Sequence, residues 1–92
     1  MIRSFKDRRA ERLNRGERVR EYQGFALQAE KRLRILDAAE RLEALAMLPS
    51  NRLEALRGDR RGQYSIRINE QWRICFVWKS DGPHDVEIVD YH

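Results

Sequence analysis

The first quarter of the chain contains short patterned stretches and one stretch without a clear pattern. Residues 1–5 alternate apolar and polar side chains, which predicts a short N-terminal strand. Residues 7–14 predict a short helix, with Asp7 as its N-cap and Gly16 as its stop signal. Residues 16–24 show no periodicity, and we expect a loop there.

The strongest pattern covers residues 25–48, where apolar residues recur at steps of three and four and charged residues fill the other positions. This spacing predicts one amphipathic helix of about six turns, ended by residues 49–51. The stripe comprises Leu33, Ile35, Leu36, Ala38, Ala39, Leu42, Leu45 and Ala46.

The C-terminal third alternates with a period of two in three segments, residues 63–69, 72–78 and 84–91. The intervening residues 69–71 and 80–83 are typical of hairpin turns. Together with the preceding patterns, this order predicts an α+β fold. It has a short N-terminal strand, two helices of which the second is long, and then a three-stranded antiparallel meander. A chain of 92 residues supports one modest core, so we expect a single domain over residues 1–92.

The expected hairpins place two arginines opposite each other. If residues 69–71 form the first loop, Arg67 pairs with Arg73, and a second turn at Asp81-Gly82 pairs Arg73 with Asp90. Two facing guanidinium groups favour an anion between them, which is either this carboxylate or a bound phosphate. A plain surface ion pair, worth about 0–1 kcal/mol, is the competing interpretation, and a one-residue slip in register would remove Asp90 from the group.

Composition favours an anionic partner. The formal net charge is +4, charged residues make up 37% of the chain, and most of its 19 basic residues are Arg. Arg binds phosphate through two donors and stacks on bases, although coding bias also enriches it. Cys75 is the only cysteine, which excludes an intrachain disulfide or zinc cluster and leaves it as a packed small residue. We expect no metal, no cofactor, no membrane segment and a cytoplasmic location.

The end of the chain, Asp90-Tyr91-His92, carries groups that suit RNA cleavage. An imidazole titrates near neutral pH, a phenol ring stacks on a base, and nearby cations stabilise a charged phosphorane-like transition state. A frayed tail without function is the competing interpretation.

Several of these strings resemble the HigB-type toxins of the RelE/ParE superfamily, and within them a GraT-like subset. The likeness covers almost the whole chain and is sharpest at Gly58-Asp59-Arg60 followed by Gly62, at Trp72-Arg73-Ile74 and at Asp90-Tyr91-His92. Residues 6–25 are its variable part.

The resemblance implies a RelE-like fold and a ribosome-dependent endoribonuclease that cuts mRNA through its 2′-hydroxyl without a metal. It also implies a helix-turn-helix antitoxin of the HigA type, through which alone the toxin would contact operator DNA. By the same likeness, Arg73 stabilises the scissile phosphate, while Asp90, Tyr91 and His92 form a catalytic tail. The residues expected to hold mRNA or ribosomal RNA are Arg52, Arg57, Arg60, Arg61 and Arg67.

The chain departs from the family pattern at Glu54, where some HigB-type toxins carry His. A carboxylate is a usable base, but it repels phosphates and has a reference pKa of about 4.3, so the departure implies weaker cleavage. Two other functions fit a basic protein of this fold: gyrase poisoning, as in ParE-like relatives, and RNA or ribosome binding without catalysis.

Overall fold

A computed structural model describes residues 1–90 of the chain. The helices are α1 (Arg8–Asn14), α2 (Ala26–Ala38) and α3 (Leu42–Ala46). The strands are β1 (Glu54–Ala55), β2 (Tyr64–Arg67), β3 (Trp72–Lys79) and β4 (Gly82–Asp90). Short 3-10 helices cover Arg20–Phe25, Pro49–Asn51 and Gly58–Arg60.

The sheet confirms the expected α+β architecture. Its strands follow chain order, β1-β2-β3-β4, and every neighbouring pair is antiparallel. The meander of β2, β3 and β4 is the one predicted from alternation, and the two-residue strand β1 adds an edge that the sequence pattern did not indicate. The N-terminal strand is reduced to one parallel bridge between Phe5 and Val86, flanked by hydrogen bonds to the outer edge of β4.

One face of the sheet packs against the helices and forms the core. Ile66, Ile74 and Ile88 lie side by side on this face in neighbouring strands. They are buried together with Leu33 and Leu36 of α2 and with further apolar side chains from α1. Because alternate residues of a strand point to opposite faces, Ser65, Arg67 and Arg73 lie on the opposite face of the sheet from this core.

Helix α1 agrees with the prediction at both ends. The Asp7 carboxylate accepts a hydrogen bond from the backbone N–H of Arg9, as an N-cap does. At the other end Gly16 has a φ of +85° and donates to the carbonyl of Leu13, while Glu17 donates to Arg12, which completes a Schellman motif.

The prediction of one six-turn helix over residues 25–48 is wrong in its extent. The helix ends at Ala38, Ala39 is extended, and a second helix begins at Leu42. The break contains neither glycine nor proline, and both Ala39 and Leu45 are buried on either side of it, so tertiary packing overrides the helical pattern here.

The predicted register between β3 and β4 is also wrong by one residue. The turn is formed by residues 80–81, because Gly82 already pairs with Lys79. A bulge then follows, in which Asp85, with a φ of +52°, and Val86 oppose the single residue Phe76. The displaced turn shifts the pairing by two residues from the prediction and the bulge shifts it back by one, which leaves the net error of one residue.

Candidate functional site

The sheet face opposite the apolar core carries three of the predicted site residues, Glu54, Arg67 and Arg73, in two rows. One row runs across all four strands through Glu54, Ser65, Cys75 and Glu87, which pair in succession. The second row lies on the same face, two residues away from the first, and contains Arg67 in β2, Arg73 in β3 and Val89 in β4. We call this surface, defined by those seven residues, the arginine face. The predicted pairing of Arg67 with Arg73 is confirmed.

Arg73 is held in place by the strand and loop beside it. Its Nε donates to the hydroxyl of Ser65 at 2.7 Å, and its Nη2 donates to the backbone carbonyl of Arg52 at 2.6 Å. A guanidinium is planar, so two bonds from different nitrogens fix both the position and the tilt of the group. The charge of Arg73 is therefore presented in one orientation on the arginine face.

The carbonyl of Arg52 reaches Arg73 because Arg52 has a left-handed backbone, with φ +44° and ψ +53°. A residue other than glycine pays of order 1–3 kcal/mol for such a conformation, which persists when the surroundings require it. It directly follows the 3-10 helix Pro49–Asn51, whose buried Asn51 side chain donates to the carbonyl of Leu45 and accepts from Arg32. The loop that positions Arg73 is thus anchored to α2 and α3.

The other predicted residues are distributed around this centre. Glu54 lies opposite Ser65 on the arginine face, and residues 54–57 line an open hollow of about 320 Å³. Arg57 and Arg61 are exposed, at either end of the 3-10 helix Gly58–Arg60. Arg60 differs from them, because its Nη1 lies 2.9 Å from the carboxylate of Glu87 and also donates to Gln63. Its charge is partly offset within the protein.

The expected pairing of Arg73 with Asp90 is not observed. Arg73 pairs with Val89, and Asp90 pairs with Trp72, so Asp90 belongs to the alternate set of β4 residues. The displaced turn and the bulge at residues 85–86 cause this change of register. The Asp90 carboxylate accepts a hydrogen bond from Gln71 at 3.1 Å. The predicted catalytic residues Tyr91 and His92 lie outside the described residues.

Ser65 is a site residue that sequence reasoning missed. Its side chain is fully buried, yet its hydroxyl is the acceptor that orients Arg73. Strict alternation along β2 places Ser65 and Arg67 on one face, and this was a signal available in the sequence. Cys75, beside it, is also fully buried, and this burial raises the pKa of its thiol. It agrees with the expected packed cysteine.

Within residues 1–90, no group of three or more His, Cys, Asp or Glu side chains is arranged to hold a metal ion. In the same part of the chain, none of the helices has the length and apolarity needed to cross a bilayer.

Comparison with known proteins relates the chain to a family of toxins. A sequence model of the HigB-like toxins, described as RelE-like toxins of the type II toxin-antitoxin system HigB, matches residues 3–92. Toxin HigB-1 of Vibrio cholerae serotype O1 is 46% identical over 48 residues, which are 52% of this chain and 50% of that protein. The alignment therefore spans about half the length of the curated relative.

Proposed function

The chain belongs to the HigB-like family of RelE-like toxins, which makes it a toxin of a type II toxin-antitoxin system, and from this premise we propose that it is an endoribonuclease that cuts mRNA on the ribosome. A type II toxin has an antitoxin partner. We propose that this partner is a helix-turn-helix protein of the HigA type, and that the toxin acts in the cytoplasm, where its substrate is translated.

One observation carries the proposal: Arg73 is fixed by Ser65 and by the carbonyl of Arg52, and it pairs with Arg67 on the sheet face opposite the apolar core. Residues directly opposite each other in adjacent strands point to the same side of a sheet, so Arg67 and Arg73 both present positive charge on this face. A phosphodiester has the charge and the paired oxygens that guanidinium groups bind best. A site of this kind suits the phosphorane-like transition state of RNA cleavage.

The proposed reaction needs no group beyond the RNA and the protein. The 2′-hydroxyl of one nucleotide loses its proton to a base and attacks the adjacent phosphorus. The bond to the 5′-oxygen breaks, and that oxygen takes a proton from an acid. The products are a 2′,3′-cyclic phosphate and a 5′-hydroxyl end, while Arg73 neutralises the charge that builds on the phosphoryl oxygens.

We propose Glu54 and the tail residues as the acid–base groups. Glu54 projects from β1 on the arginine face, opposite the serine that orients Arg73. Tyr91 and His92 are assigned by family resemblance, with His92 as general acid or base and Tyr91 orienting or stacking a base. Asp90, paired with Trp72, is better suited to holding the start of the tail through Gln71 than to contacting the phosphate.

The proposal is tested by adding the purified chain to ribosomes translating a defined mRNA and mapping the new RNA ends. We expect cuts within translated codons, with 2′,3′-cyclic phosphate and 5′-hydroxyl ends, and little cutting of the same mRNA without ribosomes. His92→Gln should abolish the cuts. Intact mRNA, together with inhibition of gyrase in a supercoiling assay, would instead assign a gyrase-poisoning toxin of the same fold.

A further inference from the structure

A cationic hollow lies next to the arginine face, on the side of α2. It is open, has a volume of about 440 Å³, and falls within the usual range of ligand sites, roughly 300–1,000 Å³. Its charged lining consists of three guanidinium groups and one carboxylate, a net charge of +2. The residues around it are Gln28, Arg32, Ser50, Arg52, Arg67, Ile68, Asn69 and Glu70.

The hollow is continuous with the site that holds Arg73. Arg67, which lines it, pairs with Arg73 across β2 and β3. Arg52, which also lines it, accepts a hydrogen bond from Arg73 through its backbone carbonyl, so its side chain is not needed for that contact. A chain of phosphates bound at Arg73 therefore has a cationic path into the hollow.

The arginine contributed by α2 is rigidly placed. Arg32 Nη1 donates to the side-chain oxygens of Asn51 at 2.8 Å and Ser50 at 3.2 Å. Asn51 is itself fully buried and bonded to the carbonyl of Leu45. Both bonds of Arg32 leave from Nη1, so the guanidinium is anchored through one of its three nitrogens, and Arg32 is one of the residues that line the hollow. Holding three cations close together costs repulsion, which a bound polyanion relieves.

We propose that this hollow is a subsite for a second RNA phosphodiester, one that is not cut, contacted by Arg32, Arg52 and Arg67. The inference rests on the proposed RNA-cutting function and adds the face of α2 to it. The phosphodiester comes either from the mRNA next to the scissile bond or from ribosomal RNA, since both carry the same backbone chemistry.

Binding measurements on the full chain separate these sources and need no catalysis. One arm uses a single-stranded 2′-O-methyl RNA oligonucleotide, which lacks the attacking hydroxyl, and the other uses vacant ribosomes. Gln28→Glu introduces a carboxylate of the same shape at an exposed helix position in the hollow. At about 100 mM salt, we expect Gln28→Glu to weaken RNA binding about fivefold. The loss should occur with the oligonucleotide if the hollow contacts mRNA, and with the vacant ribosomes if it contacts ribosomal RNA.

Three further variants make the test specific. Arg52→Asn keeps a residue that tolerates positive φ, and it should weaken binding and reduce the slope of log affinity against log salt by about one. Glu70→Gln removes the carboxylate of the hollow and should strengthen binding. Arg34→Gln alters the net charge by the same amount as Gln28→Glu, but Arg34 lies beside the cleft between α1 and α2, and binding should stay within about twofold of the wild type.

The inference is overturned if Gln28→Glu leaves both arms unchanged, or if Arg34→Gln weakens binding as much. A parallel cleavage assay with unmodified mRNA on translating ribosomes keeps the two proposals apart. If the wild type cuts mRNA but Gln28→Glu binds RNA as tightly as the wild type in both arms, only the subsite proposal is removed. If the wild type does not cut mRNA but Gln28→Glu binds RNA more weakly than the wild type, the nuclease proposal is removed and the hollow remains as an RNA-binding site.

Discussion

At the scale of single residues, the proposed RNA cleavage depends on how Arg73 is positioned. Alternation and a short hairpin loop were sufficient to predict that Arg67 and Arg73 face each other. The contacts that orient Arg73 were predictable only in part, because alternation places Ser65 on the same face but does not indicate its burial, and the other contact depends on the left-handed backbone of Arg52. Neither local propensity nor charge pattern signals such a conformation.

Ser65→Ala tests this positioning. The variant removes the acceptor for Arg73 Nε but keeps the carbonyl of Arg52 as a second support. We expect the rate constant of mRNA cleavage on the ribosome to fall about tenfold, because the guanidinium loses part of its preorganisation, while KM changes little. Ser80→Ala, at an exposed turn, is the matched control and should cut at the wild-type rate. A rise in KM alone would show that Ser65 acts on binding instead.

Cys75 is expected to be chemically inert in the folded protein. It is fully buried, and burial raises the pKa of its thiol, so little of the reactive thiolate is present at neutral pH. Labelling with a thiol-specific disulfide reagent should be slow in native buffer and fast in denaturant. Equal rates in both conditions would contradict the packing of this strand.

At the scale of elements, most of the fold was predictable and two features were not. The strands β2 to β4 and helix α1 follow from periodicity, turns and caps. The break after Ala38 and the bulge at Asp85 arise from contacts between distant segments. At the bulge, the Asp85 backbone N–H donates to the Ser4 hydroxyl, and the Val86 N–H donates to the Ser4 carbonyl. The displaced turn shifts the β3–β4 pairing by two residues and the bulge shifts it back by one, so the two together determine where Asp90 lies and explain the error in the predicted site.

The segment over residues 16–24, which shows no sequence pattern, is tied to the core by one aromatic residue. Tyr22 is fully buried, makes a tilted ring contact with Phe25 and an edge-on contact with Trp72, and donates its hydroxyl hydrogen to the Asp7 carboxylate at 2.9 Å. Burial, followed by that hydrogen bond, raises the pKa of the Tyr22 hydroxyl. Asp7 thereby caps α1 with one oxygen and holds the 3-10 helix Arg20–Phe25 with the other.

Tyr22→Phe should therefore destabilise the protein without filling or emptying space in the core. Removing the hydroxyl leaves a mostly buried Asp7 oxygen without this donor, which costs about 1–3 kcal/mol. In a domain of this size, each kcal/mol lowers Tm by roughly 4–8 °C, which calorimetry or circular dichroism detects. Tyr64→Phe, on a half-buried ring of β2, is the comparison variant. An unchanged Tm for Tyr22→Phe would show that Asp7 does not couple these two segments.

At the scale of the whole molecule, the fold separates stability from function by the two faces of one sheet. The helices and the apolar strand residues share one face, and the arginines that we assign to RNA lie on the other or beside it. Net charge and family resemblance indicated a polyanionic partner from the sequence. The hollow beside α2 was not predictable, because it joins residues from α2, the loop before β1 and the turn after β2.

The most direct test of the central claim is the single-turnover rate of mRNA cleavage on ribosomes by Arg73→Gln. The variant should retain the circular dichroism spectrum and antitoxin binding of the wild type, and it should cut at least about 100-fold more slowly, because it lacks the oriented charge that stabilises the transition state. Arg34→Gln should cut at the wild-type rate. If a folded Arg73→Gln protein cuts within about threefold of the wild type, the arginine face is not the place where RNA is cleaved.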